Sequence, residues 1–148
     1  FYRFYLKNKT VPLIIIGNGS NILANSKTYD GIVVSLKKIK QDVIIEGTKV
    51  IVNSGMLITN FINKLKEKNI GGLEKLAYIP GTIGGMIKMN ASAYNCNITD
   101  YLNYITCIDE KGELVIYNKK ELNFNYRSSS IKDYNIILNC CKEKISFW

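Results

Sequence analysis

Three stretches of the chain gather residue types able to hold an anion. The first, Gly17-Asn18-Gly19-Ser20-Asn21, follows the apolar, β-branched run of residues 11–17. A strand ending in a glycine loop can bring bare backbone N–H groups close to a phosphate. The spacing is not that of a dinucleotide fingerprint, which needs glycine where Ile22 stands, nor of a P-loop, since no Gly-Lys-Ser/Thr run follows. Taken alone, the loop reads first as an ordinary tight turn. The second stretch is Ile79-Pro80-Gly81-Thr82-Ile83-Gly84-Gly85-Met86, leading to Met89-Asn90-Ala91-Ser92-Ala93-Tyr94. Pro80 and Gly81 break the chain, and Thr82 suits the N-cap of a helix. Gly84 and Gly85 then fall in its first turn, where each costs about 1 kcal/mol relative to alanine. A diphosphate lying against the helix N-terminus would explain them; so would close packing against a strand. The third stretch, residues 124–132, sets Tyr126, Arg127 and three serines together. It is either an exposed polar loop or a guanidinium aimed at an anion in a cleft.

These stretches need elements to carry them. Residues 31–36 form a second apolar strand after an Asp30-Gly31 turn. Residues 42–45 and 49–53 pair as a hairpin around Glu46-Gly47-Thr48, and residues 104–109 and 113–118 pair around Glu110-Lys111-Gly112. Leu57, Phe61 and Leu65, flanked by Ile58 and Ile62, give the clearest helix, over 57–68, with lysines in its last turns and a stop at 69–72. Asn118 and Glu121 have the spacing of a capping box, and residues 135–142 close as a strand. Mixed strands and one strong helix, with hairpins in the second half, predict an α+β fold with largely antiparallel pairing.

Composition removes several chemistries. Histidine is absent, which excludes Ser-His and Cys-His nucleophiles and most catalytic zinc sites; no metal site is expected. Cys96, Cys107, Cys140 and Cys141 lack zinc-knuckle or thioredoxin spacing, and adjacent Cys140 and Cys141 point to opposite faces of a strand; they are read as reduced and structural. The net charge of +8 comes from lysines spread along the chain, with only Arg3 and Arg127 as arginines, so nucleic-acid readout is not expected. No apolar run reaches the roughly 18 residues of a membrane span, and no secretory signal is seen. The chain opens on Phe1 rather than Met, and the expectation is a piece of a longer protein.

The segments "GNGSNIL", "GLEKLAYIPGTIGGMIKMNASAY" and "FNYRSSSIK", in that order, resemble the UDP-N-acetylenolpyruvoylglucosamine reductases, or UDP-N-acetylmuramate dehydrogenases, flavoenzymes of bacterial peptidoglycan synthesis. The family shows Gly-x-Gly-Ser-Asn, Ile-Pro-Gly-Ser/Thr-x-Gly-Gly and Tyr-Arg-x-Ser-x-Phe-Lys at these places, and the resemblance runs from about Pro12 to Lys142.

The resemblance implies an α+β FAD-binding fold of the vanillyl-alcohol-oxidase and p-cresol-methylhydroxylase type, with two small lobes and mixed and antiparallel sheets. Residues 1–36 would be a remnant of the first FAD-binding lobe and 37–148 the second. It further implies that Gly17, Asn18, Gly19, Ser20 and Asn21, with Pro80, Gly81, Thr82, Gly84 and Gly85, hold the FAD diphosphate. Asn90 and Ala91 would lie near the flavin. FAD would be non-covalent, since histidine is absent and no cysteine falls in a glycine motif. NADPH would be the reductant, and Arg127 would bind the carboxylate of a UDP-sugar enolpyruvate and stabilise its enolate, with Tyr126 and Ser129 shaping the substrate site. The setting implied is cytoplasmic, with small-molecule partners and neither nucleic acid nor membrane. Departures are Ser92 and Asn95 in place of frequent glycines, Asn97 for glutamate and Ile131 for phenylalanine. A third family domain, which supplies a serine proton donor and a glutamate, has no counterpart in the 148 residues. The alternative is a non-catalytic FAD- or nucleotide-binding remnant.

Overall fold

The computed structural model describes Tyr5, residues 11–39, 42–133 and 135–142, and the backbone of residues 146–147. Strands β3 (Val43–Glu46) and β4 (Lys49–Asn53) turn on Gly47. Strands β8 (Leu102–Ile108) and β9 (Leu114–Asn118) turn at Asp109–Gly112. There the Asp109 carboxylate accepts from the N–H groups of Glu113 (2.9 Å) and Lys111 (2.8 Å), bonds that hold its carboxyl below the usual range. Strand β12 (Ile136–Lys142) enters between these hairpins and completes a sheet of order β3-β4-β12-β8-β9, antiparallel throughout. Cys140 lies opposite both Val52 and Ile105. The inner face of the sheet, with Val50, Val52, Ile105, Cys107 and Cys140, is fully buried.

Two helices cover that face. Helix α1 (Ile58–Lys66) buries Ile58, Phe61 and Leu65, the stripe read from the sequence. It starts without a side-chain cap; the Ile58 N–H donates instead to the Gly81 carbonyl (3.1 Å). Lys64 and Lys66 fill its last turn, and Asn69 takes the left-handed conformation just beyond (φ 56°). Helix α2 (Ile83–Lys88) has Thr82 as its N-cap, whose Oγ1 accepts from the Gly85 N–H (3.4 Å); it buries Ile83, Met86 and Ile87 against β4 and β12.

Strands β1 (Leu13–Ile16) and β2 (Ile32–Ser35) form a separate pair, with Leu13 opposite Ile32, and this pair is parallel. The remaining strands are two-residue pieces. β5 (Ile70–Gly71) pairs with β13 (Ser146–Phe147), β6 (Ser92–Ala93) with β7 (Cys96–Asn97), and β10 (Phe124–Asn125) with β11 (Ser128–Ser129). Asn118 and Glu121 make the expected capping box, and Asn95, which stands in place of a frequent glycine, is left-handed (φ 59°). None of the four cysteines is in a disulfide, and all are buried. Cys140 and Cys141 face opposite sides, yet neither is accessible, because β12 is the central strand. One lysine departs from the picture of a spread cationic surface. Lys142 is fully buried on β12, its Nζ donates to the Ile98 carbonyl (2.9 Å), and burial pushes its pKa down to about 8.

Candidate functional site

The two glycine stretches meet where the β1–β2 pair touches α2. The contact is close enough to exclude a side chain. A Cβ on Gly17 would lie 2.2 Å from Thr82 Oγ1, so only glycine lets the end of β1 approach the cap of α2. Ser20 Oγ donates to the Pro80 carbonyl (2.7 Å), a second tie across the seam. Gly19, with φ +76° and open space where a Cβ would stand, supplies the left-handed turn between them.

A cavity of about 610 Å³ opens at this seam. Its walls include all of Gly17, Asn18, Gly19, Ser20 and Asn21, and also Pro80, Gly81, Thr82, Gly85, Ala91 and Arg127. Three segments of distant sequence position are thereby brought to one concavity. A smaller adjoining cavity of about 370 Å³ shares Gly17, Thr82 and Gly85 and adds Gly84.

The backbone donors of the two glycine stretches are used differently. In α2 the Ile83 N–H donates to the Met56 carbonyl (2.9 Å) and the Gly84 N–H to the Ser54 carbonyl (2.8 Å), while the Gly85 N–H turns back to Thr82. The first turn of this six-residue helix is thus occupied by the turn between β4 and α1. Gly84 is explained by that packing, since a Cβ there would lie 2.8 Å from the Ser54 Cβ. Among the described residues, no hydrogen bond engages the N–H groups of Asn18, Gly19, Ser20 or Asn21. A loop of open donors, glycines where a Cβ would fill the cradle and a guanidinium on the rim suit a phosphate-bearing ligand.

The other sequence-predicted residues take different places. Arg127 is exposed and sits at φ 53°, in the two-residue loop of the β10–β11 hairpin, with its guanidinium 5.6 Å from the centre of the Tyr126 ring. Tyr126 is 88% exposed and lines neither cavity. Asn90 and Ser129 also stand outside both linings, and their side chains are engaged within the protein. Asn90 Oδ1 accepts from Thr99 Oγ1 (2.6 Å), Asn90 Nδ2 donates to the Asn125 carbonyl (3.0 Å), and Ser129 Oγ donates to the Lys88 carbonyl (2.7 Å). Lys88 was missed in the sequence, although it lines both cavities. The signal was its spacing: three residues after Gly85 on a helix, it shares that glycine's face. Its Nζ donates to the Ile131 carbonyl and pairs with Asp133 (2.8 Å).

Among the described residues, no group of histidine, cysteine, aspartate or glutamate could hold a metal ion, and no helix is long and apolar enough to cross a membrane. The FAD binding domain family matches residues 4–118. The UDP-N-acetylenolpyruvoylglucosamine reductase of Clostridium botulinum (strain Hall) is 39% identical over 132 residues, which is 89% of this chain and 43% of that protein. The chain therefore spans less than half the length of this curated relative. The crystal structure of UDP-N-acetylenolpyruvylglucosamine reductase from Thermus caldophilus superposes with a TM-score of 0.73 at 24% identity, over 99% of this chain and 53% of that one. A variant of Phl p 4, a glucose oxidase, gives a TM-score of 0.63 at 14% identity over 95% and 31%. These two likenesses speak for the fold, which is thus the flavoprotein type expected from the three motifs. With the glycine loop, the capped glycine helix and the seam between them set in that fold, this chain belongs to the FAD-binding domain family.

Proposed function

We propose that this chain carries the FAD-binding lobes of a reductase that converts UDP-N-acetylglucosamine enolpyruvate to UDP-N-acetylmuramate with NADPH, a cytoplasmic step of peptidoglycan synthesis. Residues 1–36 belong to the first lobe and 37–148 to the second. One observation carries the reading: Arg127 reaches the same cavity as Gly17–Asn21 and Pro80, Gly81, Thr82 and Gly85, although more than a hundred residues separate it from the first loop.

FAD would be held non-covalently. The open N–H groups of Asn18–Asn21 would hold its diphosphate, with Gly17, Gly81, Thr82 and Gly85 allowing close approach and Ala91 supplying an apolar wall. Gly84 and Asn90 act behind this surface, by packing and by bracing. When bound, the flavin supplies hydride transfer between the nicotinamide and the enolpyruvyl double bond. Arg127 would grip the substrate carboxylate through two parallel N–H bonds and stabilise the charge that grows on it as the enolate forms. Tyr126 backs the guanidinium with its ring.

The test is stopped-flow absorbance on the complete protein. Arg127→Lys keeps the charge and loses the planar two-point grip. It should leave flavin reduction by NADPH unchanged and slow reoxidation by the enolpyruvyl substrate on the order of 100-fold. Reoxidation at the wild-type rate would remove Arg127 from the reaction. The place of Tyr126 and Ser129 outside both cavity linings favours one other reading, a FAD- or nucleotide-binding module without turnover. Bound flavin with no substrate-dependent NADPH oxidation by the complete protein would select it.

A further inference from the structure

The hairpin that presents Arg127 is poorly equipped to hold itself. β10 and β11 pair over only two residues each, and isolated pairs of that length are not stable in water. The second loop position, which favours glycine or asparagine, holds Arg127 at φ 53°. Tyr126, beside it, is 88% exposed and contributes little burial. A strained, exposed conformation persists only where its surroundings over-determine it.

Those surroundings are the exit of α2. The Lys88 carbonyl, in the last turn, is one of the acceptors a helix leaves without an internal partner, and Ser129 Oγ on β11 donates to it (2.7 Å). On the other strand, Asn90 Nδ2 donates to the Asn125 carbonyl (3.0 Å). Asn90 is itself fixed, left-handed at φ 43°, by a bond to its Oδ1 from Thr99 Oγ1 (2.6 Å), a residue 4% exposed. Lys88 adds its own bond to Ile131 and its pairing with Asp133. Both strands of the hairpin are thereby gripped by the segment that also builds the glycine side of the cavity.

We propose that Ser129 and Asn90 are positioning residues, which lash the Tyr126–Arg127 hairpin to the end of α2 and so hold the guanidinium at the cavity rim. The functional side of this proposal rests on the reductase reading; the mechanical side does not. Neither residue touches the ligand on this account. They set where Arg127 is, and at what cost it can leave.

Arg127 and Arg3 are the only arginines, so an arginine-specific protease reads local opening of the hairpin directly, with no ligand present. In the 148-residue chain, Ser129→Ala and Asn90→Gly should each be cut after Arg127 at least about 10-fold faster than wild type, as local unfolding becomes more accessible. Asn90→Gly removes the side chain yet keeps a residue at ease with positive φ, and Ser129→Thr, which restores the hydroxyl, should be cut within about 2-fold of wild type. Cutting at the wild-type rate in either deletion variant overturns the role of that residue. Equal acceleration after Lys49 on β4 by a lysine-specific protease would mean general loosening and would overturn the strap, as would a wild-type chain cut after Arg127 as fast as unfolded chain. In the complete protein, Ser129→Ala should slow flavin reoxidation by the enolpyruvyl substrate and spare reduction by NADPH. A complete protein with no such turnover would sink the reductase reading, while the protease result would still decide the strap.

Discussion

The β1–β2 pair and the five-stranded sheet are written in nearly the same residues and end in opposite states. Both are runs of valine and isoleucine. In the sheet, Val52, Ile105 and Cys107 are wholly inaccessible beneath α1 and α2. In the pair, Ile14 is 40% exposed and Val33 51%, and Leu23, in the loop after β1, is 99% exposed. Parallel strands ordinarily have both faces covered, and here the sheet has a buried core while the pair has mostly surface. The candidate site lies where the pair meets α2, and the donors of the loop after β1 are open there. The sheet and its helices hold the core, while the site draws on both the loop after β1 and α2, and substitutions can separate core from seam.

The largest effect is expected in the core. Phe61→Ala should lower the free energy of unfolding by about 3–5 kcal/mol, since the ring is fully buried among both helices and the sheet. Leu23→Ala should change it by no more than about 0.5 kcal/mol. Urea titration followed by circular dichroism measures both, and comparable losses would mean that the loop after β1 shares the core of the sheet.

A middle-sized effect is expected at the seam. Gly17→Ala places a methyl against Thr82 Oγ1 and should cost about 1–3 kcal/mol by forcing β1 away from the cap of α2. Gly19→Ala meets no neighbour and should cost about 1 kcal/mol from its positive φ alone. Flavin titration should weaken far more for Gly17→Ala; equal weakening would place the binding determinant in the loop conformation, not in the seam.

The smallest effect is electrostatic and belongs to the five-stranded sheet. Lys142 has its pKa lowered by burial to about 8 from 10.5. The unfolded chain therefore binds more protons above pH 8, and stability rises with pH from there toward 10.5. Desolvation raises Cys140 to about 11 and Cys107 to about 12, from 9.0, which works the other way: that stability is present below pH 9 and is lost as pH climbs through the raised values. Between pH 8 and 9 the lysine adds about 1 kcal/mol, the two cysteines together remove about 0.7 kcal/mol, and stability should rise by only about 0.3 kcal/mol. Lys142→Met should abolish the increase. A rise that survives in Lys142→Met would assign it to another group.

Most of the fold was legible from periodicity and turn chemistry. The α1 stripe, the two hairpins of the sheet and the Thr82 cap all depend on neighbours within a few residues, and those signals are local. The order of the sheet was not legible, because nothing local tells β12 to enter between β4 and β8. The three site stretches were each ambiguous alone, and only the resemblance joined them. Gly84 and Gly85, identical in sequence context, proved different: one fits under Ser54 and the other faces the cavity. Asn90 and Ser129 carried the marks of ligand-binding residues but are spent on carbonyls of the chain, and Lys88 looked like one more surface lysine. Which partner a polar side chain finds is decided by tertiary geometry, beyond the reach of spacing.

The buried cysteines have a practical consequence. The thiolate is the form that reacts with alkylating and oxidising reagents, and at pH 7 a thiol with a pKa near 11 or 12 is ionised to only about one part in ten thousand or fewer. Cys96 is shifted in the same direction, and Cys141 is equally inaccessible. Toward a maleimide the folded chain should behave as though it had no cysteine. A single thiol introduced at exposed Leu23 or Tyr126 could then carry a spectroscopic label without any native cysteine being removed, reporting separately on the loop after β1 and on the β10–β11 hairpin.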